Sequence, residues 1–288
     1  MRRAAVAIVA LVVGMGSGAC SGDDSGSGDQ AAAADAGLHV TLKRSTLFET
    51  HRSLSLSVRS DGDRDIEVSD LQLVSPLFEA VDPEDRDARV RAGRVVEVPL
   101  PFGTADCEGE ADGPAELEAA VDGEAVQVDI DESPSELLAT LHRNECAEAA
   151  IRDQLELTLE DDWERTGPTT IEGRLDMAQR EDGVTASIEQ MTGNVLFTVS
   201  TDDGSGDGDG DDEGDGPWLT VDDDHPSTSG HVVIKISRCD PHALIEFKRP
   251  FVITGFVTVG DADPVRVDIE AQGDARQTMG DLMSGCLQ

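Results

Sequence analysis

The chain contains itself twice. "AGRVVEVPL" (Ala92 to Leu100) parallels "SGHVVIKIS" (Ser229 to Ser237), and "DGEAVQVDIDESPSELLATLHRNEC" (Asp122 to Cys146) parallels "DADPVRVDIEAQGDARQTMGDLMSGC" (Asp261 to Cys286). "LHVTL" (Leu38 to Leu42) has its echo in "LELTL" (Leu155 to Leu159), and the matches keep the same order in both halves. Such self-similarity predicts a tandem duplication with a junction near Ile151, so that residues 38–150 and 151–288 repeat one fold. Each half holds two cysteines in equivalent places, Cys107 and Cys146, then Cys239 and Cys286. Four cysteines permit three pairings, and the repeat selects Cys107–Cys146 and Cys239–Cys286. The first bond closes a loop of about forty residues, worth on the order of 4 kcal/mol by the chain-entropy argument. That helps a chain with two Trp, seven Phe and no Tyr to bury.

Periodicity gives the fold class. "SLSLSV" (Ser53 to Val58) alternates strictly, which puts Leu54, Leu56 and Val58 on one face of a strand. "AELEAAVDGEAVQVDI" (Ala115 to Ile130) is two alternating runs around Asp122-Gly123, a dipeptide favoured in tight hairpins. In the second half, "HVVIKI", "ALIEF", "FVITGFVTV" and "VRVDI" read as strands in quick succession. Each half then closes with a helix. Ser133 is the expected N-cap of the first, ahead of Leu137, Leu138 and Leu141; Asp274 is the expected cap of the second, ahead of Met279, Leu282 and Met283. The expectation is a mainly β protein: two tandem immunoglobulin-like β-sandwiches, each ending in a short disulfide-tethered helix.

The first twenty residues, "MRRAAVAIVALVVGMGSGAC", have the layout of an export signal, with Arg2 and Arg3, an apolar run from Ala4 to Val13 and then small residues. That run is too short to span a bilayer as a helix. Ser17-Gly18-Ala19-Cys20 resembles the lipobox of bacterial lipoproteins, with Ser17 where that family usually carries Leu. The resemblance implies removal of residues 1–19, lipidation of Cys20 and anchoring to the outer face of the cell membrane. A plain secretory peptide cleaved after Ala19 is the alternative, and it leaves Cys20 as an odd thiol. Residues 20–37 contain no large apolar residue and read as a flexible tether.

Acidity bounds the partners. Sixty Asp and Glu against 22 Lys and Arg give a formal charge of -38, and only three of the cations are lysines, Lys43, Lys235 and Lys248. Nucleic acid and anionic lipid are poor partners for such a surface, since phosphate binding needs clustered basic residues. Two tryptophans leave little material for the stacking platforms of a glycan-binding sandwich.

The second half carries an insertion, "DDGSGDGDGDDEGDG" (Asp202 to Gly216), which the first half lacks. In an EF-hand register, Asp211, Glu213 and Asp215 fall at positions 1, 3 and 5, Gly216 at 6 and Asp222 at 12. This makes a Ca²⁺-responsive loop over 203–222 one reading. A solvated, self-repelling acidic loop is the other. Cys239-Asp240-Pro241-His242, with His225 and His231 nearby, has a zinc-like spacing, but Cys239 is better used in a disulfide. The motifs G-x-S-x-G, S-x-x-K and H-E-x-x-H do not occur, and with sixty acids a carboxylate pair is no signal of a glycosidase. The sequence therefore favours a lipid-anchored, non-catalytic envelope protein that binds a protein partner. A calcium-responsive module and a secreted hydrolase are the alternatives.

Overall fold

A computed structural model describes residues 38–44, 52–83, 87–109, 115–129, 132–201 and 217–286, which build a mainly β protein of antiparallel sheets. In the first half, β1 (Leu38–Lys43), β2 (Ser53–Ser60) and β5 (Val95–Pro101) form one sheet in the order β1-β2-β5. The other sheet joins β3 (Ile66–Val74), β4 (Ala88–Val90), β6 (Glu116–Val121) and β7 (Glu124–Asp129) in the order β4-β3-β6-β7. Helix α1 (Glu132–Gln154) leads straight into β8 (Leu155–Leu159). There follow β9 (Glu164–Arg165), β10 (Thr170–Gln179), β11 (Ala186–Thr192), β12 (Phe197–Ser200), β13 (Leu219–Val221) and β14 (Ser227–Ile236). Helix α2 (Pro241–Glu246), β15 (Val252–Val259), β16 (Val265–Glu270) and helix α3 (Gly273–Gly285) complete the order.

The second-half sheets read β12-β14-β10-β8, with β9 also on β10, and β13-β11-β15-β16. Strands β8, β10 and β14 thus repeat β1, β2 and β5, and β13-β11-β15-β16 repeats β4-β3-β6-β7 strand for strand. At the place of β12 the described residues of the first half form an isolated bridge, Phe78 to Ala105. The acidic insertion joins β12 to β13, and residues 202–216 lie outside the described part of the chain.

Alternation builds the cores. Leu54, Leu56 and Val58 are buried beside Leu73, Leu117 and Val121 from the facing sheet. A separate cluster in the second half gathers Leu175, Ile234 and Ile253 with Met279 and Leu282 of α3. Trp163 lies in this cluster, and a Cβ on Gly173 would meet its ring at 2.4 Å, so the glycine makes room for the indole. At the β6–β7 turn, Asp122 and Gly123 take φ of 52° and 83°, the left-handed pair that a two-residue hairpin requires. Disulfides join Cys107 to Cys146 and Cys239 to Cys286, with Cα–Cα distances of 5.4 and 5.1 Å. The structure describes no part of the leader, Cys20 or the tether. Among the described residues, no helix is long and apolar enough to cross a membrane.

Four local expectations are corrected. Helix α1 starts at Glu132, so Ser133 lies inside its first turn. It also continues through Ile151, because Ala147, Glu148, Ala149 and Ala150 are strong helix formers and Ile151 is buried in the second core. "ALIEF" contributes mostly to helix α2: Asp240 caps it by accepting the Ala243 N–H at 3.0 Å, and Pro241 opens its first turn. Finally, α3 begins one residue before Asp274. Its N-cap position is Gln272, which makes no side-chain cap bond, and the Asp274 N–H donates instead to Asp161 Oδ1 at 3.3 Å, from the β8–β9 connection. Gly273 has φ of 48°, and a Cβ there would lie 2.4 Å from that carboxylate.

Candidate functional site

Between the two halves runs an open groove of about 1270 Å³. Its first-half wall is made by Arg52, Ser53 and Leu54 at the start of β2, by Phe102 after β5 and by the Leu141 and Glu145 turns of α1. The opposite wall is the segment from Phe247 to Val252, edge strand β16 and the entry to α3. Both walls are held by disulfides. Cys146 ties α1 to the loop after Phe102, and Cys239 ties the connection leading to Phe247 to the end of α3.

Charge is distributed unlike the rest of the chain. Among the described residues seven cations line the groove: Arg44 and Arg52 in the first half, Arg152 on α1, and Lys248, Arg249, Arg266 and Arg276 in the second. Among the described lining residues four are carboxylates, those of Glu145, Glu148, Asp268 and Glu270, and each is bonded to an arginine. Four of the seven phenylalanines are here as well, Phe102, Phe247, Phe251 and Phe256. The Arg52 guanidinium sits 5.1 Å from the Phe102 ring centre, and that of Arg276 lies 4.2 Å from Phe251, at cation–π range.

Asp268 is the centre of the arrangement. Its Oδ2 accepts from Arg249 at 2.8 Å, and its Oδ1 is 3.0 Å from the Arg266 guanidinium and accepts from the Thr254 hydroxyl at 3.1 Å. Its backbone is held by helix α1, which spans the junction of the halves. Its N–H donates to Glu148 Oε1 at 3.2 Å, and its carbonyl accepts from Arg152. Glu148 and Arg152, one turn apart on α1, thereby take the place of a neighbouring strand on the free edge of β16. Covering such an edge blocks unwanted strand pairing; here it also locks the junction helix α1 to the sheet that ends in β16. On the first-half wall, Arg52 donates to the Gly103 carbonyl at 2.6 Å and to Glu145 at 2.8 Å, while Glu145 also accepts the Ala105 N–H at 3.3 Å.

Among the described lining residues each carboxylate is engaged by an arginine, and the groove presents arginine and aromatic side chains together. Elsewhere, the Glu160 carboxyl is raised above the usual range by its hydrogen bond to Asp176, but this pair lies outside the groove. Among the described residues, no three His, Cys, Asp or Glu side chains converge as a metal site. Of the residues expected to hold calcium, Asp211, Glu213 and Asp215 lie outside the described part. Asp222 Oδ1 accepts the Asp224 and His225 N–H groups at 3.0 and 2.8 Å and lies 3.3 Å from His225 Nδ1. Those bonds, the His225 N–H first, hold its carboxyl below the usual range and shape the β13–β14 turn. Sequence reading passed over the groove, although one signal for it was available. "FKRPF" (Phe247 to Phe251) sets two adjacent cations between phenylalanines in a chain otherwise dominated by acids.

The fold and its bonds define a class: a mainly β protein stabilised by two disulfides, which marks an extracytoplasmic protein. No family model matches the chain, and no curated protein matches it. Among solved structures it is similar to the YadV chaperone, at 11% identity over 82% of this chain and 100% of that one, with a TM-score of 0.22. A protein of unknown function from Porphyromonas gingivalis matches at 16% identity over 82% of this chain and 99% of that one, TM-score 0.20. The BSP domain of a biofilm-associated protein matches at 8% identity over 82% and 58% of the two chains, TM-score 0.17.

Proposed function

We propose that the chain is a lipid-anchored envelope protein and a non-catalytic interaction module, in which two immunoglobulin-like sandwiches form a docking groove between them. The observation that carries the reading is the gathering of seven cations and four phenylalanines along one concave surface of a chain with net charge -38. Arginine and aromatic side chains are enriched at protein interfaces, where they supply most of the binding energy. The matching strand orders support the tandem-sandwich reading: the orders β1-β2-β5 and β4-β3-β6-β7 of the first half recur as β8-β10-β14, extended by β12 and β9, and β13-β11-β15-β16 in the second. Residues 1–19 are then the signal peptide, Cys20 the lipidated residue and 20–37 the tether. Residues 38–150 and 151–288 are the two modules, sharing α1 at their junction.

A pull-down from envelope extract tests this. The mature chain from Ser21 is compared with Arg249→Glu, which reverses charge in the groove. The expected result is a partner retained by the wild type and lost by the variant. Equal recovery of the same proteins by both would overturn the groove as the docking surface. Cys20→Ala tests the anchor, since it should move the protein from the membrane fraction to the soluble one.

A further inference from the structure

We infer that the Cys107–Cys146 bond is a thiol-exchange site, at which an external thiol is taken up on Cys107 while His142 steadies the departing sulfur of Cys146. Helix α1 sets the pair: His142 stands one turn before Cys146, and its Nε2 lies 3.6 Å from Cys146 Sγ. The same nitrogen is 2.9 Å from the Asp106 carbonyl oxygen. A carbonyl oxygen only accepts, so Nε2 is the ring nitrogen that carries hydrogen. While the bond is intact its sulfur is a weak acceptor and the carbonyl takes that hydrogen. A thiolate on Cys146 is a far stronger acceptor, and the N–H is already beside it. The ring is placed by packing, edge-on to Phe78 at 89° with centroids 6.1 Å apart.

The two sulfurs differ in access and surroundings. Cys107 is exposed, whereas Cys146 is half-buried. The loop that presents Cys107 is fixed by Asp106, whose N–H donates to the Leu77 carbonyl at 3.0 Å and whose Oδ1 accepts the Glu108 and Gly109 N–H groups at 3.1 and 2.9 Å. Cys107 Sγ lies 3.7 Å from the Ala105 carbonyl oxygen, whose partial negative charge disfavours a thiolate there. Exchange depends on which sulfur is reached and on how well the other leaves, and both criteria select attack at Cys107. An incoming thiolate forms a new S–S bond to Cys107. The old bond breaks, its electron pair leaves on Cys146 Sγ, and the proton lost by the incoming thiol passes to solvent. One disulfide replaces another without net oxidation, and the covalent tie between the loop and α1 is undone.

The test uses the mature chain from Ser21, whose four cysteines are those of the two bonds. It is treated with glutathione or, separately, with a thioredoxin variant lacking its resolving cysteine, so that small and protein thiols are distinguished. Iodoacetamide stops the reaction at intervals, and tandem mass spectrometry assigns each cysteine. We expect at least one of the two thiols to appear on Cys107 and the alkyl label on Cys146. His142→Phe keeps an aromatic ring beside Phe78 and removes the N–H. If the histidine steadies the thiolate, the variant opens Cys107–Cys146 about five- to tenfold more slowly, with opening of Cys239–Cys286 within about twofold of wild type. A histidine that only braces the loop against α1 gives the opposite sign, because its loss loosens the loop and speeds opening. Thermal melting establishes that the variant is folded; should it not fold, the position of the adduct in the wild type decides. No adduct from either thiol, an adduct on Cys146 with Cys107 alkylated, or unchanged or faster opening in a folded His142→Phe would overturn the inference.

Discussion

Asp122 holds the β6–β7 hairpin from its turn. Its carboxylate accepts the Glu67 N–H at 2.9 Å and a bond from Arg64, and these hold the carboxyl below the usual aspartate range. Replacement by alanine removes those bonds and puts a less tolerant residue at positive φ, so Asp122→Ala should cost about 1–2 kcal/mol in denaturant unfolding. Asp65, Asp222 and Asp240 are lowered in the same way, each first by a backbone N–H, from Ala92, His225 and Ala243. A carboxyl lowered by folding gives stability that is present above its unfolded value of about 3.9 and lost as pH falls through the folded one. Glu160, raised by Asp176, has the opposite sign: its contribution is present at low pH and fades as pH rises through the raised value. The melting temperature lost between about pH 4 and pH 2 should therefore be smaller in Asp122→Asn than in wild type. An equal loss would remove Asp122 from the acid response. In the second core, Gly173→Ala drives a methyl into the Trp163 ring and should cost about 1–3 kcal/mol, checked by the same unfolding curves.

At the scale of elements, helix α1 does two jobs. Its first turns pack Leu138 into the first core, and its last turns bring Glu148, Arg152 and Ile151 to the second half. Removing the clamp with Arg152→Ala should leave both cores intact and broaden the distance distribution between spin labels placed on the two halves; an unchanged distribution would show that the clamp does not set their relation. Each disulfide closes a long loop, with sequence separations of 39 and 47, so breaking either by paired Cys→Ser should cost about 4 kcal/mol. The strands and the pairing were legible because alternation and duplication are local or self-referential signals: "SLSLSV" needs only its own period, and Cys146 finds its counterpart by alignment with Cys286. Cap positions were harder. Asp161 caps α3 across 113 residues, a contact that no local pattern records. The run through Ile151 was hidden by the assumption that a repeat ends where its helix should. The groove is harder still, because its two walls are brought together by contacts distant in sequence, those of Glu148 and Arg152 with Asp268 among them.

For the whole molecule, a strongly acidic chain gathers arginine and phenylalanine side chains along the groove. Net charge far from zero disfavours association with anionic surfaces. The reading predicts where a partner touches. A benzophenone amino acid is placed at Phe256 in the groove or at Val95, which is 57% exposed on β5 away from it, and intact cells are irradiated. The account predicts a discrete crosslinked species from position 256 and none from position 95. A species formed from position 95, or none from position 256, would contradict it.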